Sequence, residues 1–169
     1  MGLTRRWRTQ PQERLAEQVS AALYGTVLVL AALPLIDVDQ VETGAGWGLV
    51  SGVGVATWVA HLFAEVVGDR VRHGEVHDRR EIGRAMVDGV PILVAAVPPA
   101  LMLVLGRVDV FGSRGALWAA LVVALAQLGV VTAFVGWRAS AGGARPWPYV
   151  AATVAIGIVV VVVKLRLSH

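Results

Sequence analysis

The stretch WGLVSGVGVATWVAHLFAEVVGDRVRHGEVH, residues 47–77, joins an apolar segment to a row of ionisable side chains. Its first part, residues 47–60, contains no charged residue. In its second part the ionisable residues recur at every fourth position: His61, Glu65, Asp69, His73 and His77. A run this apolar is typical of a helix that crosses a bilayer. The ionisable row therefore begins inside a predicted membrane segment.

Composition and charge spacing predict an all-α membrane protein. The 169 residues are 56% hydrophobic and 16% charged, with a mean hydropathy of +0.67, which excludes an ordinary soluble domain. Five stretches lack Asp, Glu, Lys and Arg, and each is long enough to cross a hydrocarbon core of about 30 Å as a helix. We expect a bundle of five transmembrane helices at about 18–36, 46–68, 89–106, 115–137 and 146–165.

The basic residues predict the orientation and the domain organisation. Residues 1–14 form a basic segment, and residues 15–169 are expected to form the single transmembrane domain. Most of the 15 Lys and Arg residues fall on the side of the N-terminus; those on the other side are Arg107, Arg114, Lys164 and Arg166. Because basic loops stay in the cytoplasm, the N-terminus is predicted inside and the C-terminus outside.

The second predicted helix has a row of small residues, which we call the small-residue ridge. Its members are Gly44, Gly48, Gly52, Ala56, Ala60, Ala64 and Gly68. Small residues let helices approach closely in lipid, where the hydrophobic effect gives no drive between them. The ridge is predicted to pack against another helix, either of this chain or of a second subunit, and we expect a homo-oligomer.

His61 and Glu65 are the ionisable residues of the second helix that lie at membrane depth. A carboxylate in lipid is costly, so Glu65 is expected to face protein or a water-filled cavity. An imidazole one turn away can share a proton with it near neutral pH. Trp58, one turn above His61, could narrow a water path. The pattern favours a protein that conducts or translocates protons or small cations along this helix.

Three further residues extend this candidate site. Asp69 follows Glu65 in the ionisable row and can reach interfacial water. Asp88, just before the third helix, is expected at the same depth as Glu65, although it could instead pair with Arg84. Tyr24 of the first helix could offer a hydroxyl group across the bundle.

Other interpretations stay open. His61 and Glu65 could simply bond each other and a neighbouring helix, in a non-conducting scaffold or regulatory subunit that assembles through the small-residue ridge. A divalent metal could be held by His61, Glu65 and Asp69, or by His73 and His77, since imidazole and carboxylate suit Zn²⁺ or Mn²⁺. The sequence has no cysteine and no nucleophile, P-loop or nucleic-acid-binding pattern. It predicts no enzyme, no cofactor and no nucleic-acid partner.

Helix breaks are predicted at the prolines. Pro34 is expected to bend the first helix. Pro98 and Pro99, near the centre of the third, lack the N–H that would bond the carbonyls of Val94 and Ala95. These freed carbonyls could contribute to an ion path. The second helix is expected to continue through the charged segment 69–84.

Four segments carry a resemblance: YGTVLVLA, WVAHLFAEVVGDR, PPALMLVLG and VVVVKL. In this combination the chain resembles a group of small bacterial inner-membrane proteins of unknown function. The resemblance implies a multi-pass protein of the bacterial inner membrane and implies no activity.

Overall fold

The computed structural model describes residues 6–73, 79–139 and 147–167, and within these ranges the chain contains helices and no strand. The all-α prediction is confirmed. The helices are α1 (Arg6–Ala32), α2 (Val38–Thr43), α3 (Ala45–His73), α4 (Arg79–Asp88), α5 (Val90–Arg107), α6 (Ser113–Ala139) and α7 (Trp147–Leu167). At Pro34 the first helix ends in a short 3₁₀ turn, Leu33–Leu35, which fits the break expected there. The break that the sequence predicts at Pro98 and Pro99 is wrong, because α5 continues through both prolines from Val90 to Arg107.

Four segments of the described chain are long and apolar enough to cross a membrane. They are Leu15–Leu35, Ala45–Gly68, Ala85–Arg107 and Ser113–Trp137. In α7 the described residues contain a shorter apolar helical stretch, Val150–Val159. Their length and composition fit a multi-pass membrane protein, with four candidate spans where the sequence predicted five.

The core lies where α1, α5 and α6 meet. α5 packs against α1, α3 and α6, and α7 packs on α6 and α1. α6 contributes a fully buried row at four-residue spacing: Ala116, Ala120, Ala124 and Leu128. A Cβ built at Gly106 of α5 would overlap that of Ala116. Small residues therefore bring α5 and α6 together closely.

α3 packs on α5 through a different face from the one that the small-residue ridge forms. Val50 is fully buried, and a Cβ built at Gly54 would lie 2.9 Å from the Cβ of Ala96. On the ridge, Gly48 and Gly52 are exposed, with nothing within 4 Å of a Cβ built at either. Two positions along a helix turn the direction by about 200°, so these two faces are nearly opposite.

The chain reverses direction between α3 and α4. α3 continues beyond the membrane segment to His73, as expected, but one straight helix through residue 84 is contradicted. The indole Nε1 of Trp58 donates a hydrogen bond to the carbonyl of Met86 at 3.2 Å. In a straight helix these residues would be about 42 Å apart, at 1.5 Å per residue. Residues 74–78, and so His77, lie outside the described residues.

The short helix α2 covers one end of the bundle. Asp37 begins it with a capping box: its side chain accepts from the N–H of Gln40 at 2.9 Å, and its own N–H donates to Oε1 of Gln40 at 3.1 Å. Val41, 1% exposed, inserts into the bundle. Gly44 ends α2 with a φ of 85°, a left-handed conformation that favours glycine. The acidic segment of residues 37–43 is thus a capped helix packed on the bundle.

Candidate functional site

A cleft of about 720 Å³ opens between α1 and α3, beside the end of α4. Three alanines form part of its wall, and its polar lining residues are Glu17, Ser20, Tyr24, His61, Glu65 and Asp88. The cleft is therefore lined by three carboxylates, one imidazole, one phenol and one hydroxyl group. It lies within the candidate spanning lengths of α1 and α3.

Helix periodicity explains how these side chains converge. Glu17, Tyr24 and the residues between them at positions 20 and 21 recur at three- and four-residue intervals, which places them on one face of α1. On α3, His61 and Glu65 are one turn apart. The small side chains of Ala60 and Ala64 beside them leave the space that the cleft occupies.

The predicted residues Tyr24, His61, Glu65 and Asp88 all line this one cleft. His61, Glu65 and Asp88 are half-buried, and the Oε2 atom of Glu65 is buried within protein. Tyr24 is 55% exposed, so one part of its ring is free to contact a ligand. The sequence suggested this grouping from depth alone; the structure adds that one cavity connects the four residues.

Glu17 and Ser20 are lining residues that the sequence reasoning missed. The charge-free criterion began the first predicted helix at residue 18 and so left Glu17 outside the membrane segment. Its spacing of seven residues before Tyr24 was the available signal, since two helical turns return to the same face.

Trp58 lies beside the cleft and is not among its described lining residues. Besides its bond to the Met86 carbonyl, its ring packs on Gly89, where a built Cβ would lie 2.8 Å from Cδ1 of the indole. The Trp58 side chain therefore connects α3 to the junction of α4 and α5. Asp88 lies in this junction, between the two residues that Trp58 contacts, so we expect Trp58 to help position Asp88. The constriction suggested by the sequence stays a prediction.

Several predicted contacts fall on side chains that the structure does not describe. These are the side chains of Asp69, His73 and Arg84, besides the whole of His77. The described residues contain no group of three or more His, Asp or Glu side chains close enough to hold a metal ion. The positions of the described residues therefore give no support to the metal-site alternative.

A second polar cluster lies in the core, where α1, α5 and α6 meet. The Nε2 atom of Gln127 donates to the carbonyl of Ala95 and to Oγ1 of Thr26, each at 3.4 Å. Thr26 in turn donates to the carbonyl of Ala22 at 2.8 Å. The Ala95 carbonyl, which Pro99 deprives of its helical partner, thus accepts a hydrogen bond from Gln127 within the bundle.

The fold and the cleft define a class of protein: an all-helical chain, compatible with multiple membrane crossings, that carries a carboxylate-lined cleft between two long helices. No family model matches the chain, and no curated protein or solved structure has significant similarity to it.

Proposed function

We propose that this chain is a multi-pass protein of the bacterial inner membrane that translocates protons or small cations, with the cleft as one half of the path. The observation that carries the proposal is the convergence of His61, Glu65 and Asp88 on one cavity at the depth of the spanning helices. Ionisable groups at this depth are expensive to keep and commonly mark ion or proton pathways.

The proposed topology has five membrane crossings, with the N-terminus inside and the C-terminus outside. α7 has 21 residues, or about 31 Å of helix, which is enough for the fifth crossing. In this orientation the cleft opens towards the cytoplasm, because Glu17 lies close to the basic N-terminal segment. α2 then covers the periplasmic end.

The cleft provides the chemistry that proton transfer needs. An imidazole changes its charge between about pH 5 and pH 8, and a carboxylate one helical turn away can accept or return the proton. His61 and Glu65 have this spacing on α3. Asp88 and Tyr24 face them from α4 and α1 and offer further proton acceptors and donors.

The opposite end of the bundle is closed by α2. Val41 is buried there beside Gly106, and Oγ of Ser113 lies 3.3 Å from Oε1 of Glu42, to which it donates a hydrogen bond. An ion that enters the cleft would need α2 or α3 to move before it could leave at this end. We therefore interpret this conformation as the one open towards the cytoplasm.

The test is proton flux into liposomes that contain the purified protein. A pH gradient should drive flux in the unmodified chain, and His61→Ala and Glu65→Gln should each reduce it to the level of empty liposomes. Asp39→Asn is the matched control, because it removes an exposed carboxylate of α2 that lies outside the cleft. Flux that survives both cleft substitutions, or no flux in the unmodified chain, would eliminate this function.

A second function is favoured by the exposed part of the small-residue ridge. Gly48, Gly52 and Ala56 lie on the surface of α3, where a helix outside this chain could approach closely. We propose as the alternative a non-conducting membrane scaffold or regulatory subunit, which assembles as a homo-oligomer through the ridge. Gly52→Leu should then dissociate the oligomer in detergent, measured by light scattering. Gly83→Leu is the matched control, because Gly83 is an open position on a different helix, α4, and this substitution should leave the oligomer intact. An unchanged mass for Gly52→Leu would contradict this assembly.

A further inference from the structure

The cleft is far larger than a proton or a bare metal ion needs. Its volume of about 720 Å³ falls within the range of roughly 300–1,000 Å³ that is usual for small-molecule sites. A path for protons requires only a file of water molecules. The cleft therefore has room for an organic molecule.

The charge of the lining selects the sign of that molecule. Glu17, Glu65 and Asp88 contribute carboxylates, and the described lining contains neither lysine nor arginine. His61 is the one basic group of this lining, facing carboxylates from α1, α3 and α4. A cation is attracted here and an anion is repelled, the more strongly because the low-dielectric surroundings screen charge poorly.

The apolar part of the lining selects the body of the molecule. Ala21, Ala60 and Ala64 form apolar wall, and the partly exposed ring of Tyr24 can contact a cation through its face. The carboxylates of the described residues do not gather into a three-ligand group, so they surround the cavity and do not converge on one point. This arrangement suits a bulky cation with diffuse charge better than a chelated metal ion.

We infer that the cleft binds an amphiphilic organic cation, such as a substituted ammonium or phosphonium, and that this cation is the substrate class of the path. The inference deepens the proposed function and rests on it. A carboxyl group that holds a proton no longer attracts the cation, so protons and the organic cation compete for the cleft. Acidification therefore weakens binding.

The test uses two probes of nearly equal size and opposite charge, tetraphenylphosphonium and tetraphenylborate. Equilibrium dialysis of each against the purified protein in a neutral detergent separates saturable binding from partition into micelles. Tetraphenylphosphonium should bind saturably and more weakly at low pH, and tetraphenylborate should not. Glu65→Gln and Asp88→Asn should each weaken the affinity roughly tenfold or more, the effect of one nearby charge.

Asp39→Asn removes the same unit of charge outside the cleft and should leave the affinity unchanged. Saturable binding of both probes with equal affinity would overturn the inference, as would an equal loss in Asp39→Asn and Glu65→Gln or no saturable binding at all. If a cleft variant fails to fold, the comparison of the two probes on the unmodified chain still decides.

The dialysis and liposome experiments distinguish failure of the cation site from failure of the proposed function. Proton flux without tetraphenylphosphonium binding would refute the substrate class and leave proton translocation standing. Saturable, charge-selective binding without proton flux would retain the cation site and refute translocation.

Discussion

Replacing Gln127 by leucine tests how the bundle compensates for the helical hydrogen bond that Pro99 removes. Pro99 has no N–H to donate to the carbonyl of Ala95, four residues earlier. In the structure the Nε2 atom of Gln127 supplies that donor from α6 at 3.4 Å. Leucine has a similar volume but no donor, so Gln127→Leu leaves the Ala95 carbonyl without this hydrogen bond.

The net cost of Gln127→Leu is small, because two effects oppose each other. Both hydrogen bonds of Nε2 are 3.4 Å long, beyond the usual 2.7–3.2 Å, so each stabilises by about 0.5 kcal/mol. An unsatisfied carbonyl adds a cost of about 1–2 kcal/mol. In the other direction, leucine removes the buried Oε1 atom, which has no hydrogen-bond partner among the described residues. We expect a net destabilisation of about 1 kcal/mol.

A double-mutant cycle isolates the interaction better than the single substitution does. Pro99→Ala restores an N–H that can bond the Ala95 carbonyl, so Gln127→Leu should cost less in that background, by about 1 kcal/mol. Pro98→Ala is the matched control, because Pro98 frees the carbonyl of Val94, which Gln127 does not contact. The measurement is the free energy of unfolding in detergent micelles, from titration with SDS followed by tryptophan fluorescence.

The cycle has a clear contrary outcome. If Gln127→Leu costs the same in the Pro99→Ala, Pro98→Ala and unmodified backgrounds, the amide does not compensate the proline. Another group must then compensate for the hydrogen bond that the Ala95 carbonyl lacks, and the reasoning from the freed carbonyl is wrong.

Two further predictions concern α3. Gly54→Leu should destabilise the protein by about 1–3 kcal/mol in the same unfolding assay, because a side chain there collides with α5, whereas Gly52→Leu should leave the stability of the single chain unchanged; equal effects would contradict the assigned packing face. Trp58→Phe keeps an aromatic ring but loses the bond to the Met86 carbonyl, which should cost about 0.5–1.5 kcal/mol. It should also change the pH profile of liposome flux, since Asp88 is no longer held in place; an unaltered profile would refute the positioning role.

The absence of charged residues predicts where the helices of this protein lie, but it does not predict where they begin and end. α1 begins at Arg6 and α3 reaches His73, both beyond the charge-free runs. A charge limits how far a helix can enter lipid, but it does not stop the helix from continuing into water. The charge pattern therefore predicts the apolar stretches well and the full length of each helix poorly.

The packing face of α3 illustrates what periodicity cannot decide. Gly46 and Gly54 lie two positions from the predicted ridge, in a second row that has Val50 between them. This second row faces the bundle: a Cβ at Gly46 would lie 2.8 Å from Cγ2 of Ile36. Both rows allow close approach, so sequence alone could not choose between them. The buried row of α6, from Ala116 to Ala124, does not stand out in the sequence either, because alanine is also common in α1 and α3.

The candidate site was more predictable than the packing. Charged groups at membrane depth need a shared polar space, so His61, Glu65 and Asp88 could be expected to meet. The role of Trp58 could not be predicted, because it depends on the reversal of the chain before α4. That reversal brings Trp58 close to Met86, although the two residues are 28 positions apart and belong to different helices.

The bundle also contrasts in how firmly its helices are held. In the 18-residue apolar part of the α3 span, 17% of the residues are buried, against 44% in the corresponding part of Ala85–Arg107, which contains α5. α5 is hydrogen-bonded to α6 through Gln127. α3 packs on α5 at Gly54, and near its middle Trp58 donates a hydrogen bond to the carbonyl of Met86. Among the four candidate spans, the one in α3, which contributes His61 and Glu65, thus has the smallest buried share. If the cleft is to open towards the other end of the bundle, we expect α3 to move against the more fully buried α1–α5–α6 core.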